Sequence, residues 1–195
     1  GGGTAELLVG GASFSTPITA SVASGATTVS LTPSFTTTTA VQAAMTTGSK
    51  SLTVKLTDSA GNTATSSGNG NTVTVTNDYA APTVSTVTSS TTAGSYKAAG
   101  TVALTVTFSE AITSTGSSSL LLETGSTDTA ATCAAVTAST TLACTYTVAA
   151  GDTSSHLDYQ STSALTGTIK DVAGNAATLT LPALQGSGLY TGQTI

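Results

Sequence analysis

Arginine and tryptophan are absent from this 195-residue chain, and lysine occurs only four times. With a formal net charge of −5 and no guanidinium, the chain lacks the usual means of holding a phosphate backbone, since that affinity comes from lysine and arginine neutralising phosphates. This argues against nucleic acid as a partner and disfavours anionic membrane surfaces. No apolar run approaches the roughly 20 residues of a membrane-spanning helix, so no membrane insertion is expected. Gly1-Gly2-Gly3 is not a basic segment leading into an apolar one, so no signal peptide is visible, and the chain reads as a mature or excised piece of something larger. Aromatics make up 4 % of the residues, which leaves Val, Leu, Ile and Ala to build the core. A core that thin leans on backbone ladders, a disulfide, a bound ion or neighbouring modules.

Serine and threonine are abundant, more than a third of the chain. They alternate with apolar residues, and no helical stripe appears, so the fold class is all-β. One phrase occurs twice. It reads Asp58-Ser59-Ala60-Gly61-Asn62-Thr63-Ala64-Thr65 and again Asp171-Val172-Ala173-Gly174-Asn175-Ala176-Ala177-Thr178. Each copy follows an alternating run, Leu52 to Thr57 and Leu165 to Lys170, and precedes another β-rich run. Strand, tight turn and strand make a hairpin: the Asp side chain caps the turn, and Gly or Asn takes positive φ. Asp58, Gly61 and Asn62, and Asp171, Gly174 and Asn175, are therefore the turn-forming residues. A module that occurs twice is a building block.

The organisation follows from the punctuation. In residues 1–78 the strand candidates are Thr4 to Gly10, Ser15 to Val22, Thr27 to Leu31, the hairpin around Asp58 and Thr72 to Thr76. Thr36 to Thr39 reads as loop, Ala40 to Met45 as a helical turn, and Ser66 to Asn71 as turn residues throughout. About six strands result, one fewer than a seven-stranded sandwich. The missing one would be the first, so the chain is expected to begin inside a domain. Residues 79–82, ending in Pro82, form a stiff linker. Residues 83–195 then show Thr83 to Ser89, Val102 to Ser109, Leu120 to Glu123, Tyr146 to Val148, Thr168 to Lys170 and Ala177 to Leu181 as strands. Short strands at regular spacing argue for an antiparallel sandwich. Two antiparallel β-sandwich domains, one after the other, are expected.

The two cysteines, Cys133 and Cys144, sit symmetrically about Ala138-Ser139. Folded as a hairpin, the segment sets them opposite one another. Opposed residues of a non-hydrogen-bonded pair come within disulfide reach, so a cross-strand disulfide and an oxidising compartment are expected. Two buried free thiols are the alternative.

Several segments of the second half carry a resemblance. Ser95-Tyr96-Lys97-Ala98, Val106 to Ile112, Tyr146 to Asp152, Leu157-Asp158-Tyr159 and Ile169 to Leu179 resemble, in order, the bacterial Ig-like repeats of very large surface adhesins and extracellular proteins. The first module looks like a shorter relative, with Gly3-Thr4-Ala5 near its start. The resemblance implies two tandem immunoglobulin-like antiparallel β-sandwich domains in an array on the bacterial cell surface, an extracellular location, and a role in adhesion or as a stalk. It also implies stiffening by calcium. The segment around Tyr96-Lys97, which carries Asp in that family, has none here.

Calcium takes about six to eight oxygens, several from carboxylates at loops. Glu110, Asp158, Asp171 and Asn175 are the candidate ligands, with Asn77 and Asp78 a second place at the domain boundary. The plainer reading is that Asp171 and Asn175 shape a turn and Glu110 is a solvated strand end. A lone His156 makes neither an ordinary zinc site nor, with no Gly-x-Ser-x-Gly elbow, a serine triad. No catalytic residue is assigned and no enzyme is expected. The expected role is a non-catalytic structural or stalk module of a cell-surface adhesin or extracellular filament, its partners neighbouring repeats or copies of itself. The alternatives are a module that binds a glycan or a surface protein, and a self-assembling filament or decoration subunit.

Overall fold

A computed structural model describes residues 1–31, 44–45, 48–66, 73–185, 189 and 193–194. Every named element among them is a β-strand. The chain divides into two compact units, Gly1–Tyr79 and Ala80–Ile195.

Among the described residues, unit 1 is one antiparallel sheet of five strands: β1 (Gly3–Val9), β2 (Ala12–Val22), β3 (Gly48–Asp58), β4 (Thr63–Thr65) and β5 (Val73–Asn77). β1 lies between β2 and β3, and both β4 and β5 pair along the far side of β3. Gly10 and Gly11 turn β1 into β2 with φ of +56° and +82°, a conformation that glycine adopts without strain. Alternation sets the faces. Leu7 pairs with Ile18 on one side and Val54 on the other, and this row joins Phe14 and Met45 in the core. Glu6, on the opposite face, is paired with Lys55 and forms an ion pair with it. That hydrogen bond from Lys55, helped by one from Ser13, lowers the Glu6 pKa. Thr27 to Leu31, expected as a strand, belongs to none. Threonine content favours the extended backbone but supplies no pairing partner. Most of Ala40 to Met45 and of Ser66 to Asn71, and all of Thr36 to Thr39, lie outside the described residues.

Unit 2 is organised by one long strand. Its elements are β6 (Val84–Ser89), β7 (Gly94–Ser95), β8 (Thr101–Glu123), β9 (Thr129–Cys133), β10 (Ser139–Thr147), β11 (Asp158–Tyr159), β12 (Leu165–Asp171) and β13 (Gln193–Thr194). The first half of β8 pairs with β6 and β10, and the second half with β9, β11 and β12. The sequence separates these halves, Val102 to Ser109 and Leu120 to Glu123; the structure runs them together over 23 residues. The burial pattern explains why. Val102, Leu104, Val106, Phe108, Ile112, Leu120 and Leu122 are all buried and all even-numbered, so one face of one strand stays on the core as its partners change.

Backbone pairing continues round this core. After β12, Ala176 bridges Lys170, and Ala177 N–H donates to Ile169 O at 3.0 Å. Thr178 then bridges Thr83 in parallel and donates its N–H to Pro82 O at 2.8 Å. Ala177 to Leu181, expected as a full strand, is thus reduced among the described residues to single bridges. Tyr146, Tyr159, Leu142 and Leu157 fill the interior. The result is an all-β, antiparallel fold consistent with a β-sandwich.

Candidate functional site

Cys133 and Cys144 form a disulfide with Cα atoms 3.9 Å apart. They are direct partners in the β9–β10 register. Ala134 N–H donates to Ala143 O at 2.9 Å, so the hydrogen-bonded pair is the next one along. The cysteines therefore occupy the close, non-hydrogen-bonded position. Both cysteines belong to the core, at 4 % and 2 % exposure. Ala138, at the turn of this hairpin, has a φ of +50°.

The two Asp-x-Ala-Gly-Asn turns are built alike. Asp58 Oδ1 accepts from the N–H groups of Ala60 and Asn62 at 2.9 Å each, and its Oδ2 accepts from Asn62 Nδ2 at 2.8 Å. Asp171 Oδ1 accepts from Gly174 and Asn175 N–H at 2.6 and 2.8 Å, and its Oδ2 from Asn175 Nδ2 at 2.7 Å. The backbone closes both turns the same way: Asp58 N–H to Asn62 O at 3.0 Å, Asp171 N–H to Asn175 O at 3.1 Å. Gly61 and Gly174 have φ of +86° and +99°, which accounts for the glycine in each phrase. Hydrogen bonds from the Asn62 side chain and backbone lower the Asp58 pKa. Burial works to raise that of Asp171, but the donors of Asn175, Gly174 and Ala173 outweigh it and the net shift is downward. In the second copy Asn175 Nδ2 also reaches Ala80 O at 3.1 Å, which ties the turn to the start of its own unit.

The acidic positions separate. Glu110 and Asp171 bring carboxylate oxygens within 4.8 Å of one another. Asp158 is not with them. It pairs with Glu123 across β8 and β11, while Asp171 pairs with Ile112, eleven positions back along β8. Its Oδ1 accepts from Tyr159 N–H at 2.8 Å and its Oδ2 from Gln185 N–H at 3.1 Å. It lines a cavity of about 200 Å³ with Glu123, His156 and Tyr159. The four candidate ligands therefore do not converge. Glu110 and Asp171 could bind a cation between them, and both Asp171 oxygens already accept bonds that shape the turn. In unit 1, Asn77 Nδ2 donates to Met45 O.

A network the sequence did not single out centres on Asp152. It accepts from the Tyr146 hydroxyl at 2.7 Å, Ala149 N–H at 2.9 Å and Thr129 Oγ1 at 3.0 Å. Burial raises its pKa, and these three donors outweigh that effect and leave it lowered. Burial, then the nearby carboxylate, pushes the Tyr146 phenol well above its ordinary range. The signal available was the run Tyr146 to Asp152, whose spacing returns the acid to the ring after one turn.

The outward face of β6, the first half of β8, β9 and β10 carries no charge. Its cross-strand rows are Thr86, Thr107 and Thr141, then Thr88, Thr105 and Ala143, then Ala103, Thr145 and Thr132. Among the described residues, no helix is long and apolar enough to cross a membrane. No family model, curated protein or solved structure matches this chain.

Proposed function

We propose that the chain is a pair of tandem immunoglobulin-like sandwich modules acting as a non-catalytic spacer in a bacterial surface adhesin or extracellular filament. The observation that carries this reading is the recurrence of one turn, with matching side-chain and backbone hydrogen bonds, at the same place after an alternating strand in each unit. Repetition of a turn, closed by the same Asp and Asn bonds after a strand, is what duplication of a structural module leaves behind. The acids support the same reading. Asp58, Asp152 and Asp171 each accept three or more hydrogen bonds that hold turns or the core, which is structural use of carboxylates. The disulfide fits an oxidising, extracellular setting.

The reading is tested by copy number. A binding tip of known specificity, displayed on a bacterial surface beyond one, two or three copies of this chain, should capture ligand at a distance that grows with each copy. A reach that does not change, or capture by the chain with no tip attached, contradicts the spacer role.

The uncharged threonine face favours a second reading, lateral assembly of copies. Four strands about 4.8 Å apart and three rows of side chains cover on the order of 400 Å², below the ~800 Å² per partner of a stable complex. Assembly through this face alone would be weak. Sedimentation velocity over a wide concentration range separates it from a monomer.

A further inference from the structure

β6 is an edge strand. It pairs with β8 on one side; on the other, among the described residues, no strand lies against it, and Thr178 bridges only Thr83, just before it. Ser90 N–H donates to Ala103 O at 3.3 Å, which continues the register that sets Ser89 opposite Leu104. Thr88 and Ser90 therefore turn their backbone groups toward β8, and alternation turns those of Val87 and Ser89 to the open side. An open edge is a template for another strand, and lysine, proline or an inward charge usually blunts it. β6 has none of these, reading Val84-Ser85-Thr86-Val87-Thr88-Ser89. Its one irregularity, the register shift between Val84 and Thr86, lies before the open stretch.

The occupant that fits this edge is the same strand of a second copy. β6 and the pairs beside it, Thr86 with Thr107 and Thr88 with Thr105, are uncharged, so two copies of a chain of net charge −5 meet here with no like charges in contact. A two-fold axis at Thr88 sets each Val87 opposite Ser89 of the second copy, and the outward N–H and C=O groups of both are exchanged. The two Thr88 side chains then face each other at the close, non-hydrogen-bonded position, where a threonine pair is favourable. The row Thr88, Thr105 and Ala143 continues unbroken into its equivalent.

We propose that unit 2 self-associates edge to edge through β6, as a two-fold symmetric pair centred on Thr88. This rests on the second reading above, lateral assembly of copies, and assigns that assembly to a strand edge and not to the threonine face. The same patch serves both copies, so the contact closes at two. It is small and weak, with half-association at about 0.1–1 mM. A contact of that strength acts where several copies stand side by side and engage together.

The test is sedimentation of the full chain, with substitutions at the exposed Thr88 and the exposed Thr141. Thr88→Lys sets two lysines opposite each other and should weaken association at least about fivefold, and Thr88→Glu should do the same. An equal mixture of the two variants should restore it, because only there does lysine face glutamate. Thr141→Lys, on β10 and away from the edge, should change nothing. Amide exchange reads the unaltered protein: the Val87 and Ser89 N–H groups should exchange more slowly as concentration rises, and that of Thr88 should not change. Val87 and Ser89 exchange that ignores concentration overturns the proposal, so a variant that fails to fold does not protect it. A mixture that stays monomeric overturns it as well. Association lost in Thr141→Lys, with no recovery in the mixture, leaves assembly through the threonine face standing and removes the edge; no association by any copy removes both. Neither result touches the growth of reach with copy number, which tests the spacer reading alone.

Discussion

The Tyr146 hydroxyl donates to Asp152 Oδ2 at 2.7 Å, joining a fully buried ring on β10 to the loop that follows it. Asp152 also collects Ala149 N–H and Thr129 Oγ1, so one carboxylate holds the end of β10, the loop and the start of β9. Asp152→Ala strands three donors and should cost about 1.5–3 kcal/mol. Tyr146→Phe keeps the packing, removes one donor and should cost less, about 1 kcal/mol. Denaturant melts of the two variants check the order. Equal and negligible losses would show that the network is not structural.

Acid should weaken the fold through the same bonds. Asp58, Asp152 and Asp171 all have pKa values held below the ordinary carboxylate range, for which hydrogen bonds to the ionised form are responsible. An unfolded Asp titrates near about 3.9, so their contribution is complete above that pH and is lost as pH falls through the lower folded values. Alkali acts in the opposite sense. Burial raises Tyr146 and, with the charge of Asp158, Tyr159 above about 10, so the stability they add is complete below that pH and disappears as pH rises beyond it. Melting temperatures measured from pH 7 to 2 and from pH 9 to 12 should fall at both ends. A profile flat below pH 4 contradicts the carboxylate account.

The disulfide closes a segment of 11 residue spacings. Chain entropy assigns a loop of that size about 3 kcal/mol. The double variant Cys133→Ala, Cys144→Ala should therefore melt roughly 10–20 °C lower in unit 2 and leave unit 1 unchanged. Calorimetry of the whole chain separates the two transitions.

Two backbone positions test the fold in opposite directions. Gly167 has φ of +144°, and a Cβ there would lie 2.2 Å from Ser118 Oγ and 2.8 Å from Ser118 Cβ. Gly167→Ala should be among the most damaging single changes, costing about 2 kcal/mol or more. Ala138 carries a positive φ without being glycine, so Ala138→Gly should stabilise by about 0.5–1 kcal/mol. Ser118 Oγ is buried with no partner, and Ser118→Ala should be neutral or stabilising. Chemical denaturation reads all three, and a stabilised Gly167→Ala protein contradicts the assigned backbone.

What was legible in the sequence was local. Alternation gave the faces of β1, β3, β8 and β10, because a side-chain period of two needs no tertiary information. The repeated phrase placed two turns, because Asp, Gly and Asn each have a specific task there; among the described residues a return strand follows the first, β4, and a single Lys170–Ala176 bridge follows the second. The symmetric spacing of Cys133 and Cys144 matched a register that the backbone adopts. What was not legible was pairing over distance. Nothing local indicates that Val102 to Ser109 and Leu120 to Glu123 form one strand, since Gly116 and the polar residues around it read as a turn. Likewise Thr27 to Leu31 has strand composition and, among the described residues, no partner strand. Glu110 and Asp171 lie near one another, while β11 holds Asp158 opposite Glu123, eleven positions along β8 from the partner of Asp171, a separation that only the long-range register of β8 sets. Tyr146 and Asp152 are close in sequence, but their bond depends on a loop conformation that composition does not specify.

The central claim is the proposed one, that the two compact units unfold as separate modules under tension, one of them shortened by its disulfide. Stretching the full chain by its ends at constant force tests it most directly. The oxidised protein should lengthen in two discrete steps, and reduction should add about 35 Å to one step only, the chain released between Cys133 and Cys144. A single step, a gradual extension with no step, or two steps both unaffected by reduction would contradict the account.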